Sequence, residues 1–221
     1  FNKKTHFEYA GAAGGFMDSL GYTFCRGRLF DSVEKDVGQY NEEGTVFWAT
    51  GACLCVRREA FLEGGGLDED FFAHMEEIDW CWRMKNRGYS MYYQPESTVY
   101  HVGGATLSQS NPRKTYLNFR NNLFLLYKNL PKGKLLPVLL KRMIFDGVAA
   151  AKYMMSCDPD NVLAILDAHV AFYSSLGKMR KKRKENLKKA TVHQHPEIYK
   201  GNIVLDYFLR KKTTYAELEM K

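Results

Sequence analysis

The 221-residue chain has only five cysteines, Cys25, Cys53, Cys55, Cys81 and Cys157. They form an odd set with no CxxC pair, so neither a disulfide framework nor a zinc knuckle is indicated, and a reducing compartment fits best. Long apolar runs are missing too. The longest, LLPVLLKRMIFDGVAAAKYMM, is broken by Lys141, Arg142, Asp146 and Lys152, short of the ~18 to 20 uninterrupted residues a bilayer span requires. The opening FNKKTHFEYA lacks the apolar centre of a signal peptide, and with no initiator methionine the chain reads as a piece of a longer one. No repeat at solenoid spacing is visible.

What is present suits a folded domain: 45% of residues are apolar and 14% aromatic, which excludes a disordered chain. The formal charge of +7 is concentrated, because Lys178, Arg180, Lys181, Lys182, Arg183, Lys184, Lys188 and Lys189 crowd one segment. Such a run attracts nucleic acid, anionic lipid or an acidic substrate; the plain alternative is a solvated helix face.

Along the chain the order is mixed α/β over 1–110 and helical over 111–221. The first forty residues, rich in glycine and aromatics, predict loop with short strand pieces. Thr45 to Val56 (TVFWATGACLCV) predicts strand interrupted at Gly51, Arg57 to Leu62 a short helix, and Glu76 to Arg87 a helix that stops at Gly88. Tyr89 to Tyr93 and Thr98 to Val102 predict strand pieces. Asn111 caps and Pro112 opens the next helix, which Pro131 ends; two more are expected, about Lys134 to Ser156 and about Asp160 to Lys189.

Glu76, Glu77 and Asp79 fall within four residues of a helix start. One carboxylate there needs no more explanation than the helix dipole, worth about 0.3 to 1 kcal/mol. Adjacent glutamates repel, and a pair held close has one pKa raised, which makes a usable general base or marks a structural ion-pair cluster. His101, just ahead of Gly103-Gly104, is either a hydrogen-bonded structural residue or a ligand. Cys53, Cys55 and Cys81 read as inert core thiols.

The stretch TGACLCVRREAFLEGGGLDEDFFAHMEEIDWCWRMKNRGYSMYYQPESTVYHVGG resembles the acceptor-side half of family 2 inverting glycosyltransferases, in their bacterial rhamnosyltransferase-like branch. The likeness covers about Thr45 to Gly104, and extends more loosely through Tyr9, Ala10 and Gly11 and through Tyr116 to Asn121. It implies a partial GT-A fold, a nucleotide-sugar-binding α/β sandwich, over 1–110, followed by a basic helical extension over 111–221. Glu77 aligns with the catalytic base, although the family signature is usually Glu-Asp where this chain has Glu76-Glu77. Glu76 and Asp79 would hold the acceptor sugar or tune that base, with Gly51 and Ala52 beside the acceptor and Trp80 and Trp82 offering flat surfaces to a sugar ring.

The resemblance also implies a divalent metal, Mg²⁺ or Mn²⁺, with His101 as a protein ligand beside an Asp-x-Asp motif. That motif is missing before Thr45; the spacing recurs only at Asp68-Glu69-Asp70 and Asp158-Pro159-Asp160. The nucleotide-binding β-α units are therefore expected upstream, and the piece alone is expected to be inactive. A nucleotide-sugar donor, a glycan or lipid-linked acceptor and a homo-oligomeric partner covering open strand edges are the expected partners. Arg113, Lys114, Arg120, Lys128 and the basic run suit an anionic membrane surface, which places the protein in the cytoplasm at the inner face of the cell membrane. The competing reading is a non-catalytic basic module that grips an acidic polymer or nucleic acid; no nucleic-acid fold signature supports it.

Overall fold

A computed structural model describes residues 5–7, 12–100 and 111–220. The aromatic N-terminal segment forms four short strands, β1 (Gly15–Asp18), β2 (Thr23–Cys25), β3 (Arg28–Leu29) and β4 (Ser32–Val33). Next come β5 (Gly44–Val46), α1 (Arg58–Glu63), α2 (Glu76–Lys85) and β6 (Met91–Tyr93). Four long helices follow, α3 (Pro112–Asn129), α4 (Lys132–Met155), α5 (Pro159–Ser174) and α6 (Leu176–Lys189), then β7 (Ile198–Tyr199) and α7 (Ile203–Phe208). The chain is thus mixed α/β.

The strands make one sheet in the order β4-β3-β2-β1-β7, antiparallel except for the parallel β1/β7 pair, and a second of β5 and β6. A bridge between Gly15 and Trp48 ties the two together. Trp48 Nε1 donates to the Phe16 carbonyl at 2.8 Å, and its ring lies so close that a Cβ on Gly15 would come within 2.1 Å of it. Only glycine leaves room for that ring. Phe16, Phe47, Phe71, Trp80, Trp82 and Leu126 are among the buried side chains of the shared core.

Several expectations need adjustment. After β5 the predicted strand gives way to a 3-10 turn at Gly51–Cys53, where Thr50 Oγ1 accepts from the Ala52 amide. Thr98 to Tyr100 have no regular structure, and residues 101 and 102 lie outside the described set. The long helix predicted from 160 to 189 breaks at Ser175 into α5 and α6. The end of the chain is not wholly helical. β7 joins the N-terminal sheet, the Ile203 amide donates to Asp18 Oδ2, and Tyr207 packs on Phe30. The tail therefore crosses the boundary drawn at residue 110, with Ile198, Tyr199, Ile203 and Tyr207 joining the apolar cluster that holds Phe16, Phe24 and Phe30.

Candidate active site

The helix start that carries the acidic cluster is reached through an unusual loop. Phe72, His74 and Met75 have φ of 62°, 69° and 70°, left-handed backbone at three residues that are not glycine. Such positions cost free energy and persist only when the surroundings impose them. Here α3 imposes them. Asn121 is fully buried, and its Nδ2 stands 2.9, 2.8 and 2.7 Å from the carbonyl oxygens of Phe71, Ala73 and His74. Arg120 Nη2 donates to the carbonyls of Asp70 and Phe71, each at 3.0 Å.

Held this way, α2 opens with Glu76 and Glu77 in its first turn. The Glu77 carboxylate faces the backbone amides of Gly51, Ile78 and its own residue. Burial, and then the neighbouring Glu76, raise its pKa above the ordinary carboxylate range, while those amides pull the other way. One carboxylate oxygen of each glutamate, Oε2, is buried without a hydrogen-bond partner, and so is His74 Nε2. Burial lowers the His74 pKa, Lys114 adds to that, and Glu76 opposes it. Buried polar atoms are rarely left unpaired, so three within four residues make this turn the candidate site. Gly51 and Ala52 are exposed at the edge of this place, with a Cβ on Gly51 only 3.9 Å from the Glu77 carboxylate.

Asp79 does not join the other two acids. It is fully buried, accepting from Arg83 Nε at 2.8 Å, Lys128 Nζ at 2.7 Å and Asn129 Nδ2 at 2.9 Å. Arg83, Lys128 and Asn129 occupy its carboxylate, so neither acceptor contact nor tuning of Glu77 falls to it. Trp80 and Trp82 are also corrected: each is 2% exposed, Trp82 edge-on to Phe47 and Trp80 against Phe61, so neither offers a face to a sugar. Cys81 is buried as expected, its thiol pushed up to about 12 by that burial, but Cys53 and Cys55 are exposed.

His101 lies outside the described residues, as do Tyr9, Ala10 and Gly11. Among the described residues no group of three or more His, Cys, Asp or Glu side chains could hold a metal ion. The acidic turn Asp68-Glu69-Asp70 is no substitute. Asp68 pairs with Lys128 and Lys182, each at 2.5 Å, and Asp70 with Lys178 and Lys182. Asp158 caps α5 through the Asn161 amide. The described residues therefore do not by themselves fit the divalent ion.

Those pairs also change the reading of the basic residues. Lys178 and Lys182 dock α6 against the acidic turn, Arg183 donates to the Tyr127 carbonyl, and Lys128 is 1% exposed. A good part of the positive charge serves the interior. Sequence reasoning missed His74 and the loop-holding role of Arg120-Asn121. The signal for the latter was there: N-F-R-N-N places two buried amides, Asn121 and Asn122, directly before the apolar run Leu123 to Leu126.

Comparison with known proteins gives a partial match. Over 59 residues the chain is 42% identical to the N-acetylglucosaminyl-diphospho-decaprenol L-rhamnosyltransferase of two strains of Mycobacterium tuberculosis, CDC 1551 / Oshkosh and ATCC 25618 / H37Rv. The match covers 27% of this chain and 19% of each relative's length, so the chain aligns with about a fifth of the curated relatives. It supports a glycosyltransferase relationship. No protein-family model and no solved structure matches the chain.

Proposed function

We propose that the chain is the acceptor side of a GT-A-type inverting glycosyltransferase, which moves a sugar from a nucleotide-sugar donor to a glycan or lipid-linked acceptor in cell-surface polysaccharide synthesis. The observation that carries the reading is the Glu77 carboxylate, buried, with a raised pKa and an unpartnered oxygen beside the exposed Gly51–Cys53 turn. The partial match of 59 residues to a rhamnosyltransferase supports the same reading.

In such a transfer the acceptor hydroxyl oxygen attacks the anomeric carbon, the bond from that carbon to the diphosphate oxygen breaks, and the nucleoside diphosphate leaves with the bonding pair. The hydroxyl proton passes to Glu77. A carboxylate with a raised pKa is a stronger base than an exposed one, and acceptor binding has to uncover its buried lone oxygen for the hydroxyl to come within about 3 Å. Glu76 sits beside it and raises its basicity. His74, neutral because its pKa is lowered, offers a ring nitrogen to another acceptor hydroxyl.

The test is turnover of the nucleotide sugar by the full-length gene product. Glu77→Gln should lower kcat by about 10² to 10⁴ with donor binding retained, and Glu76→Gln should lower it less. Equal activity of Glu77→Gln and the parent would reject the assignment; a larger loss in Glu76→Gln would move the base to position 76.

A further inference from the structure

The α4–α5 hairpin presents an apolar face that no described part of the chain covers. On α4, Leu136, Leu140, Ile144 and Val148 recur every fourth residue, and Leu136 and Ile144 are 66% and 68% exposed. At about 3.6 residues per turn these positions lie in one arc of roughly 120°. On α5, Leu166 and Val170 are exposed in the same manner. Tyr173 of α5 reaches Met143 of α4 through its hydroxyl, so the two stripes form one surface. A surface of this extent on a water-facing helix pair marks an interaction site.

Charge decides what it meets. Lys134, Lys141 and Lys152 are exposed, and the helix period places all three along the outer margin of the α4 arc. On α4 and α5 themselves four exposed lysines, Lys132, Lys134, Lys141 and Lys152, stand against two exposed acids, Asp160 and Asp167. A second copy would bring like charge to like charge. An anionic lipid surface is complementary, with the apolar stripes among the acyl chains and the lysines extended to the head groups. No described helix is long and apolar enough to cross a bilayer, so the hairpin would lie in the interface.

We infer that α4 and α5 seat this protein on an anionic membrane through the Leu136–Val148 and Leu166–Val170 stripes. The hairpin tip carries Met154 and Met155, 61% and 81% exposed. It lies at the N-terminal end of α3, where Thr115 Oγ1 donates to Asn161 Oδ1 at 2.5 Å. The same end of α3 places Arg113 over the Phe72 ring, beside the loop that leads to Glu77. Seating the tip in lipid therefore brings the candidate active site to the membrane surface. That a lipid-linked acceptor is presented there rests on the transfer reading above; the seating itself does not.

The test is flotation of the chain with phosphatidylcholine vesicles, with and without phosphatidylglycerol. The chain should float with the anionic vesicles, Lys134→Ala and Lys141→Ala should each weaken partitioning about fivefold, and Ile144→Ser should weaken it about tenfold or more. A thermal melt of each variant keeps misfolding distinguishable from lost binding, since all three positions are exposed. Failure of the parent to float with either vesicle, or flotation unchanged by all three variants, overturns the inference. So does a dimer in solution that Ile144→Ser converts to a monomer, which would make the face a self-association surface. Loss of transfer activity in Glu77→Gln with flotation intact would separate the two proposals.

Discussion

Asp79→Ala is the substitution that separates structural from chemical acids in the cluster. Asp79 is fully buried and lies between two buried cations, Arg83 at 2.8 Å and Lys128 at 2.7 Å. Removing its carboxylate leaves Arg83 with only the carbonyls of Gly64 and Gly66, and leaves Lys128 with Asp68 alone. Breaking a buried pair by deleting one partner costs about 3 to 5 kcal/mol, mostly because an uncompensated charge stays inside. At about 2 to 4 °C per kcal/mol for a chain of this size, the melting temperature should fall by about 6 to 20 °C. The assay is thermal unfolding followed by circular dichroism. Adding Lys128→Met should recover part of the loss, since it removes the stranded ammonium while Asp68 keeps Lys182. Asp79→Ala melting within about 2 °C of the parent would refute the reasoning and return Asp79 to the list of acids available for chemistry.

Glu77→Gln should do the reverse and stabilise the fold by about 1 kcal/mol near neutral pH. A carboxylate whose folded pKa is raised favours the folded state in acid and loses that contribution as pH rises through the raised value, so the gap between parent and variant should widen upward and close in acid. Urea titrations at several pH values check this; a gap that widens toward acid would contradict it. Asn121→Ala should cost about 1 to 3 kcal/mol and lower turnover, because the carbonyls of Phe71, Ala73 and His74 lose their shared donor. Wild-type kcat in that variant would show that the loop does not need the clamp. His195 is held neutral against Phe47 with its Nε2 on Asn86 Oδ1 at 2.8 Å, and burial followed by Lys85 pushes its pKa down to about 4. The unfolded chain then binds the extra proton first, so stability drops as pH falls from about 6.5 toward 4, and His195→Gln should flatten that part of the pH profile measured by denaturant unfolding.

The sequence alone determined the features that are local. Asn111 and Pro112 open α3 as capping chemistry requires, Gly88 follows the end of α2, and Glu76 and Glu77 fall in a first helical turn. It also carried the candidate site, since the run from Thr50 through Glu77 is contiguous and its pattern could be met within one stretch. Tertiary structure decided which way each side chain faces. Asp79, Trp80 and Trp82 share a helix with Glu77, yet α3 and the core claim all three, because a residue's partners across the fold are not written in its neighbours along the chain. It also spent Lys128, Lys178 and Lys182 on Asp68 and Asp70 more than forty residues away, and returned β7 to the first sheet. Charge and periodicity can name the groups; only packing determines which of them remain to meet a ligand.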